Sequence, residues 1–193
     1  MKYDYNLNCI LLGPASCGKT LFINNYLNKS ADNYPTIGVD FHKIELKHID
    51  NFYKLNLWET GNGLLYKNLI NDFLYKSQIF IIMNKTIDID FIYSVYDNIS
   101  KNVYRKLNLI IIIYNKINEF DNFKYDEEYI TNLNKNLIVK FFYIDIKNKS
   151  QINQVFNFIK TYMYQLQTTH YNTIPYNNQN SDISCKINCC NIC

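Results

Sequence analysis

The stretch GPASCGKT, Gly13 to Thr20, leaves this chain few possible folds, because it follows one apolar run and precedes an amphipathic one. It matches G-x-x-x-x-G-K-[ST] in the strand-to-helix context that a phosphate-binding loop requires. Glycine lets the backbone turn its N–H groups inward around phosphates, where a side chain would block approach. A plain strand-to-helix turn is the weaker interpretation, since the chain has only five glycines in 193 residues. The pattern predicts that Lys19 reaches the β- and γ-phosphates of a nucleotide and that the Thr20 hydroxyl binds Mg²⁺.

Short apolar runs alternate with longer amphipathic ones from Tyr5 to Tyr164, and they predict a single α/β domain. Two consecutive strands could pair through a turn at 48–51. The expected fold is a six-stranded, mostly parallel sheet with one antiparallel edge strand and helices on both faces. The predicted strands are YNLNCILL, VDFHKIELK, FYKLNLW, QIFIIM, NLIIIIY and IVKFFYI. The predicted helices are GKTLFINNYLNK, LLYKNLINDFLYK, DFIYSVYDNISKNVYRKL, DEEYITNLNKN and QINQVFNFIKTYMYQL.

Composition limits the classes of function. Hydrophobic residues make up 48% of the chain and charged residues 19%, which is typical of a globular protein. The net charge of +3 is small and the lysines are spread out, so the sequence does not indicate nucleic-acid binding. The N-terminus MKYDYNLN has no apolar core and so does not read as a signal peptide, and the run 109–114 is too short to span a bilayer. We therefore expect a cytosolic protein.

The periodicity ends near Gln167. The segment that follows is polar, and it predicts a disordered tail at 167–193 behind a folded domain at 1–166. Four of the six cysteines lie in the last nine residues. A reducing compartment argues against a disulfide framework there.

The motifs GPASCGKT, TIGVDF, LWET and NKIN, followed by a pair of cysteines near the end, occur in the order and spacing of one known family. In these motifs the chain resembles a Rab-type small GTPase of the Ras superfamily, from about Tyr5 to Leu166 and in the tail. The resemblance implies a P-loop NTPase fold with GTP or GDP and Mg²⁺ as cofactors. It implies a nucleotide site made of Gly13, Ala15, Ser16, Cys17, Gly18, Lys19, Thr20, Leu21, Thr36, Asn62, Asn115, Lys116, Asn118, Asp145, Ile146 and Lys147.

The resemblance also assigns the two switch loops. Thr36 would be the threonine of switch I, which joins Thr20 at Mg²⁺ in the triphosphate state. Glu59 replaces the Asp that holds Mg²⁺ through water, and it is longer by one methylene. Asn62 stands where the family has a glycine that contacts the γ-phosphate. Gly63 stands where the family has the glutamine that orients water, so no catalytic side chain is intact there and we expect very slow intrinsic GTP hydrolysis.

Base recognition also departs from the family. Asn118 takes the place of the Asp that accepts two hydrogen bonds from guanine, and its amide presents donors as well as an acceptor. That change should weaken the preference for guanine, and Glu119 is a possible substitute carboxylate. In the loop after the last strand Lys147 is retained, whereas Asp145 and Ile146 replace a serine and an alanine.

Four residues correspond to the surface that the family shows to its partners: Ile37 and the aromatic triad of Phe41, Trp58 and Phe73. The alternative is that these side chains belong to the core, because aromatic residues are buried routinely.

The ending CCNIC matches the double-cysteine ending of Rab proteins, which carry two geranylgeranyl groups. The resemblance implies lipidation of Cys189 and Cys190, with Cys193 as a further candidate. A zinc site made of these three residues and Cys185 is the weaker alternative, because adjacent cysteines rarely suit one tetrahedral site. Unmodified thiols are a third possibility.

The sequence as a whole predicts a membrane-anchored GTP-binding switch that recruits effectors in vesicle trafficking. Its partners would be those effectors, an exchange factor, an activating protein, a prenylation escort and the cytosolic face of an endomembrane. The alternative is a pseudo-GTPase adaptor that binds nucleotide weakly or without cycling, which Asn62, Gly63 and Asn118 would favour. An ATP-using P-loop enzyme is a third, weaker reading, since the chain lacks a motif for an acceptor site.

Overall fold

The computed structural model describes residues 5–30, 35–61, 67–85, 94–95, 97, 99, 108–115 and 137–172. Within these residues the chain forms six strands and three long helices, and residues 94, 95, 97 and 99 are helical as well. In chain order the elements are β1 (Tyr5–Leu12), α1 (Lys19–Leu27), β2 (Val39–His48), β3 (Asn51–Thr60), α2 (Lys67–Lys76), β4 (Ile79–Asn84), β5 (Asn108–Asn115), β6 (Leu137–Ile144) and α3 (Lys149–Asn172).

The described strands form one mixed sheet in the order β2-β3-β1-β4-β5-β6. Strand β2 pairs with β3 in the antiparallel direction, and the other neighbouring strands pair in parallel. The hairpin between β2 and β3 turns at Ile49 and Asp50, within the stretch where the sequence predicts a turn. This arrangement confirms the predicted sheet with its one antiparallel edge strand.

The core lies on both faces of the sheet because successive side chains of a strand point in opposite directions. On one face, Cys9 and Leu11 of β1 pack with residues of α1 and α3. On the other face, Ile10 and Leu12 pack with Leu74 of α2. The central strands β4 and β5 are therefore apolar on both sides, which explains their runs IFIIM and LIIIIY.

Helices α1 and α3 pack against each other through aromatic rings. Phe156 of α3 stacks on Tyr26 with 3.6 Å between ring centroids, and Phe22 lies 5.4 Å from the same ring. Tyr26 and Phe22 belong to α1, so their contact with Phe156 fixes the helix that follows the phosphate-binding loop.

Helix α3 continues to Asn172, six residues into the segment 167–193 that the sequence predicts as a tail. The side chain of Gln167 accepts a hydrogen bond of 2.8 Å from the hydroxyl of Tyr53. This contact joins the polar part of helix α3 to β3. Hydrophobic periodicity does not predict it, because the two groups that meet are polar. The helix predicted at 126–136 lies outside the described residues.

Candidate functional site

The loop Gly13–Gly18 joins β1 to α1 at the carboxyl edge of the parallel strands, where ligands bind in open α/β sheets. A Cβ on Gly13 would lie 2.3 Å from the carbonyl oxygen of Met83, and one on Gly18 would lie 2.5 Å from a methyl carbon of Ile146. Gly18 also has φ of 99°, which L side chains rarely adopt. The fold therefore requires glycine at both positions, while the loop tip at Pro14, Ala15 and Ser16 stays exposed.

Lys19 turns back over the loop from the first turn of α1. Its ammonium group donates hydrogen bonds of 2.9 Å to the carbonyl oxygens of Gly13 and Pro14, and the residue is 6% exposed. The first turn of α1 contains no acidic residue, so the positive end of the helix dipole is left for an anion. A loop at a helix N-terminus with a lysine folded across it is suited to bind phosphate.

Cys17 forms the buried floor of this loop. Burial raises the pKa of its thiol, and the nearby ammonium group of Lys19 only partly opposes that effect. The thiol is therefore neutral near pH 7, and this residue contributes packing and its carbonyl group rather than nucleophilic chemistry.

Three oxygen-bearing side chains meet next to the loop. The hydroxyl of Thr20 donates to Oε1 of Glu59 over 2.5 Å, and the hydroxyl of Thr36 donates to the same atom over 3.2 Å. The two hydroxyl oxygens lie 3.3 Å apart. Because each hydroxyl gives its proton to the carboxylate, lone pairs on both oxygens remain available.

This cluster fits a magnesium ion. Mg²⁺ prefers oxygen ligands and usually takes few from the protein, with waters and substrate phosphates completing its shell. Thr20 and Thr36 would hold the ion directly, and Glu59 would orient their hydroxyls and a bound water. Across the described residues no three His, Cys, Asp or Glu side chains come together as a metal cage, so the threonine cluster is the candidate there.

His42 is a neighbour of this cluster that the sequence motifs do not reveal. Its Nε2 lies 3.4 Å from Oε2 of Glu59, with the two side chains 12% and 1% exposed. The atoms are close enough to interact electrostatically, but their orientation does not form a hydrogen bond. A period of two from Ile44 and Leu46 places His42 on the inner face of β2, which is the one sequence signal that could have indicated it.

Beside the phosphate-binding loop lies a cavity of about 280 Å³, lined by Ser16, Gly18, Leu21, Lys85, Asn115, Asp145, Ile146 and Lys147. Asn115 connects its two sides: its amide donates to the carbonyl of Cys17 over 3.2 Å and accepts from the N–H of Ile146 over 3.4 Å. Lys85 was not predicted, although its place directly after β4 puts it at the same carboxyl edge of the sheet.

The three aromatic residues of the predicted partner-facing surface are adjacent in space. Trp58 lies between Phe41 and Phe73, with ring centroids 5.6 Å and 5.3 Å away. Ile37 is 80% exposed and Phe41 is 55% exposed, so these two side chains face solvent rather than the core. Ile37 follows Thr36 directly in the chain, and the next residue, Gly38, accepts a hydrogen bond of 2.8 Å at its carbonyl from the N–H of Gly61 at the end of β3.

Several predicted site residues lie outside the described residues. They are Asn62 and Gly63 of switch II, Lys116 and Asn118 of the base-recognition motif, Glu119, and the tail cysteines Cys185, Cys189, Cys190 and Cys193. In the part of the chain that the structure does describe, none of the helices has the length and apolar character needed to span a bilayer.

Comparison with known proteins gives a family match over most of the chain. The model of the Ras family matches residues 8–165. The Ras-related protein Rab7 of Pisum sativum and RABG3f of Arabidopsis thaliana are each 35% identical over 65 residues, which cover 33% of this chain and 32% of theirs. RABC2b of Arabidopsis thaliana is 29% identical over 77 residues, or 39% of this chain and 38% of its own. The chain thus spans about a third of the length of these curated relatives.

A solved structure with a similar fold is that of Methanosarcina barkeri Roco2 RocCORdC bound to GDP. Its TM-score is 0.67 at 18% identity, over 85% of this chain and 50% of that one. At this identity the similarity concerns the fold alone.

Proposed function

The chain belongs to the Ras family, and we propose that it is a GTP-binding molecular switch of the Rab type. It binds GDP or GTP with Mg²⁺ and recruits trafficking effectors in its triphosphate form. An exchange factor and an activating protein control its state. A prenylated C-terminus, delivered by an escort protein, holds it at the cytosolic face of an endomembrane. The alternative of an adaptor that never cycles gains no support from membership of this family.

The observation that carries the proposal is the meeting of Thr20, Thr36 and Glu59 beside the phosphate-binding loop. Thr20 belongs to helix α1, whereas Thr36 lies 16 residues further along the chain and Glu59 belongs to strand β3. A bound Mg²⁺ would neutralise charge on the β- and γ-phosphates. Because Thr36 adjoins the exposed Ile37, a change in its contacts would alter the partner-facing surface.

The first test is nucleotide retention. Purified protein should carry GDP or GTP in near-stoichiometric amount, as resolved by chromatography after denaturation. Lys19→Ala should abolish retention in a filter-binding assay, because it removes the buried ammonium group that spans the loop. Lys29→Ala is the matched control, since Lys29 is an exposed lysine beyond the other end of α1.

Two results would contradict nucleotide switching. Wild-type retention by Lys19→Ala would show that this loop does not bind the phosphates. Wild-type protein that neither copurifies with nor binds guanine nucleotide would instead support the adaptor.

The membrane part of the proposal rests on the tail sequence. Replacing Cys189, Cys190 and Cys193 with serine should move the protein from the membrane pellet to the supernatant of fractionated cells. The tail has no run of lysines that could hold an anionic surface by charge alone. Unchanged sedimentation of the triple variant would mean that a protein partner, and not lipid, holds the chain at the membrane.

A further inference from the structure

Asp145, whose side chain carries a carboxylate, is one of the residues that line the cavity beside the phosphate-binding loop. We propose that this carboxylate determines base specificity by accepting hydrogen bonds from the N1–H and 2-amino groups of guanine. The inference rests on the proposed function, because it concerns the nucleotide that the same site would bind. It assigns to Asp145 the recognition that the amide of Asn118 serves poorly.

The cavity is placed to receive the base. Ser16 and Gly18 of the phosphate-binding loop form one side of it, and residues that follow β6 form the other. A nucleotide whose phosphates lie in the loop would therefore direct its base into this space. Leu21 and Ile146 supply apolar surface for the faces of a flat ring, which leaves the polar groups of the wall to read its edge.

Two other polar groups on the wall are already used within the protein. The amide nitrogen of Asn115 donates to the carbonyl of Cys17, and its oxygen accepts from the N–H of Ile146. The remaining charged groups are the ammonium groups of Lys85 and Lys147, which only donate. Among the cavity residues that the structure describes, Asp145 is thus the one with a carboxylate to offer.

The carboxylate of Asp145 is held in a defined orientation. Its Oδ1 accepts from the N–H of Lys147 over 2.8 Å, and its own N–H donates to the side chain of Gln151 over 2.7 Å. The carbonyl oxygen of Asp145 accepts from the N–H of Asn148 over 2.8 Å. Its Oδ2 has no donor among the described residues, so an acceptor already fixed in place remains for a ligand.

The chemistry of the purine edge makes this acceptor selective. Guanine presents N1–H and the 2-amino group side by side as donors, and a carboxylate accepts both. Hypoxanthine lacks the 2-amino group, and xanthine carries a carbonyl at that position, which a carboxylate repels. The site should therefore prefer guanine over hypoxanthine, and hypoxanthine over xanthine.

The test is displacement of radiolabelled GDP by unlabelled GDP, IDP and XDP in a filter-binding assay. Asp145→Asn keeps the oxygen that holds the turn at Lys147 and replaces the second acceptor with a donor. We expect this variant to lower the ratio of GDP to XDP affinity by at least about ten-fold, the discrimination that one bidentate pair supplies. Asp72→Asn, which removes an exposed charge from α2, is the matched control and should leave the ratio unchanged.

The inference is overturned if Asp145→Asn binds GDP with an unchanged GDP-to-XDP ratio, or if Glu119→Gln alone shifts that ratio. Thermal unfolding of each variant checks that it is folded. If Asp145→Asn does not fold, Asp145→Ser keeps a hydroxyl acceptor for the turn and should lose the preference for GDP over IDP. Failure of wild-type protein to bind any of the three nucleotides would overturn the proposed function and this inference together, an outcome distinct from a silent Asp145 variant.

Discussion

Glu59 is the buried carboxylate at the centre of the candidate magnesium site. Its side chain is 1% exposed, and one of its oxygens accepts hydrogen bonds from the hydroxyls of Thr20 and Thr36. The second oxygen faces His42 without a hydrogen bond. A buried carboxylate of this kind depends on its neighbours, because water does not solvate it.

We expect His42→Ala to lower the free energy of unfolding by about 0.5–3 kcal/mol, because it removes a mostly buried imidazole ring that lies against the buried carboxylate of Glu59. Urea denaturation measures the change. Lys43→Ala alters the next residue of β2, which is exposed, and should cost at most about 1 kcal/mol. Equal stability of the two variants would mean that the contact between His42 and Glu59 contributes nothing.

The residues of the site differ in how far sequence reasoning can reach them. Lys19, Thr20, Thr36 and Glu59 belong to linear motifs, in which spacing itself carries the chemistry. His42 has no such motif, since its role depends on the strand that happens to lie beside it. Cross-strand neighbours are set by register, and register emerges only when β2 pairs with β3.

Among the elements, the β2–β3 hairpin carries an unfavourable turn residue. Ile49 has φ of 55° and is 62% exposed. A positive φ at the first of two central residues is the arrangement of a type II′ turn, in which glycine is preferred. A β-branched side chain crowds the backbone in this conformation, so the turn is strained.

Ile49→Gly should therefore raise the free energy of unfolding by about 1 kcal/mol, since the relief of strain outweighs the entropy that glycine adds to the unfolded chain. Asp50→Gly is the control. Asp50 is not among the described residues with positive φ, so glycine there should stabilise nothing and would add entropy to the unfolded chain. Urea unfolding that ranks the two variants in the opposite order would contradict this account of the turn.

The sequence predicts the bounds of the strands more accurately than the end of helix α3. The apolar runs of β4 and β5 coincide with the strands themselves, because a strand that is covered by helices on both faces must be apolar on both faces. Helix α3 extends six residues beyond its apolar periodicity, and a polar contact with Tyr53 holds the first of these residues, Gln167. Such a pairing joins residues 114 positions apart, and no local pattern encodes it.

At the scale of the whole molecule, buried thiol and phenol groups determine how the stability of the fold responds to alkaline pH. Burial raises the pKa of the thiols of Cys9 and Cys17 above their usual value of 9.0, and it raises the pKa of Tyr162 to about 12. A raised folded-state pKa means that the folded chain holds its protons more tightly than the unfolded chain. The resulting stabilisation is fully present below the unfolded values and is lost as pH rises through the folded ones.

The free energy of unfolding should accordingly fall as pH increases from about 9 towards about 12. Urea unfolding in buffers across this window measures the slope. Cys9→Ala removes one of the titrating groups, so its slope should be shallower than that of the wild-type chain. A flat profile for wild-type protein would contradict the burial of these groups.

Trp58 is the chain's only tryptophan, and it lies between Phe41 and Phe73 with Glu59 as its neighbour in sequence. Indole emission shifts in wavelength and intensity when nearby rings move or when water reaches it. Thr36, which adjoins the exposed Ile37, donates a hydrogen bond to Glu59, so a rearrangement at Thr36 would reach the residue next to this ring. The indole is therefore a native optical reporter beside the candidate magnesium site, and under the proposed function its emission should follow nucleotide exchange in real time without an attached dye.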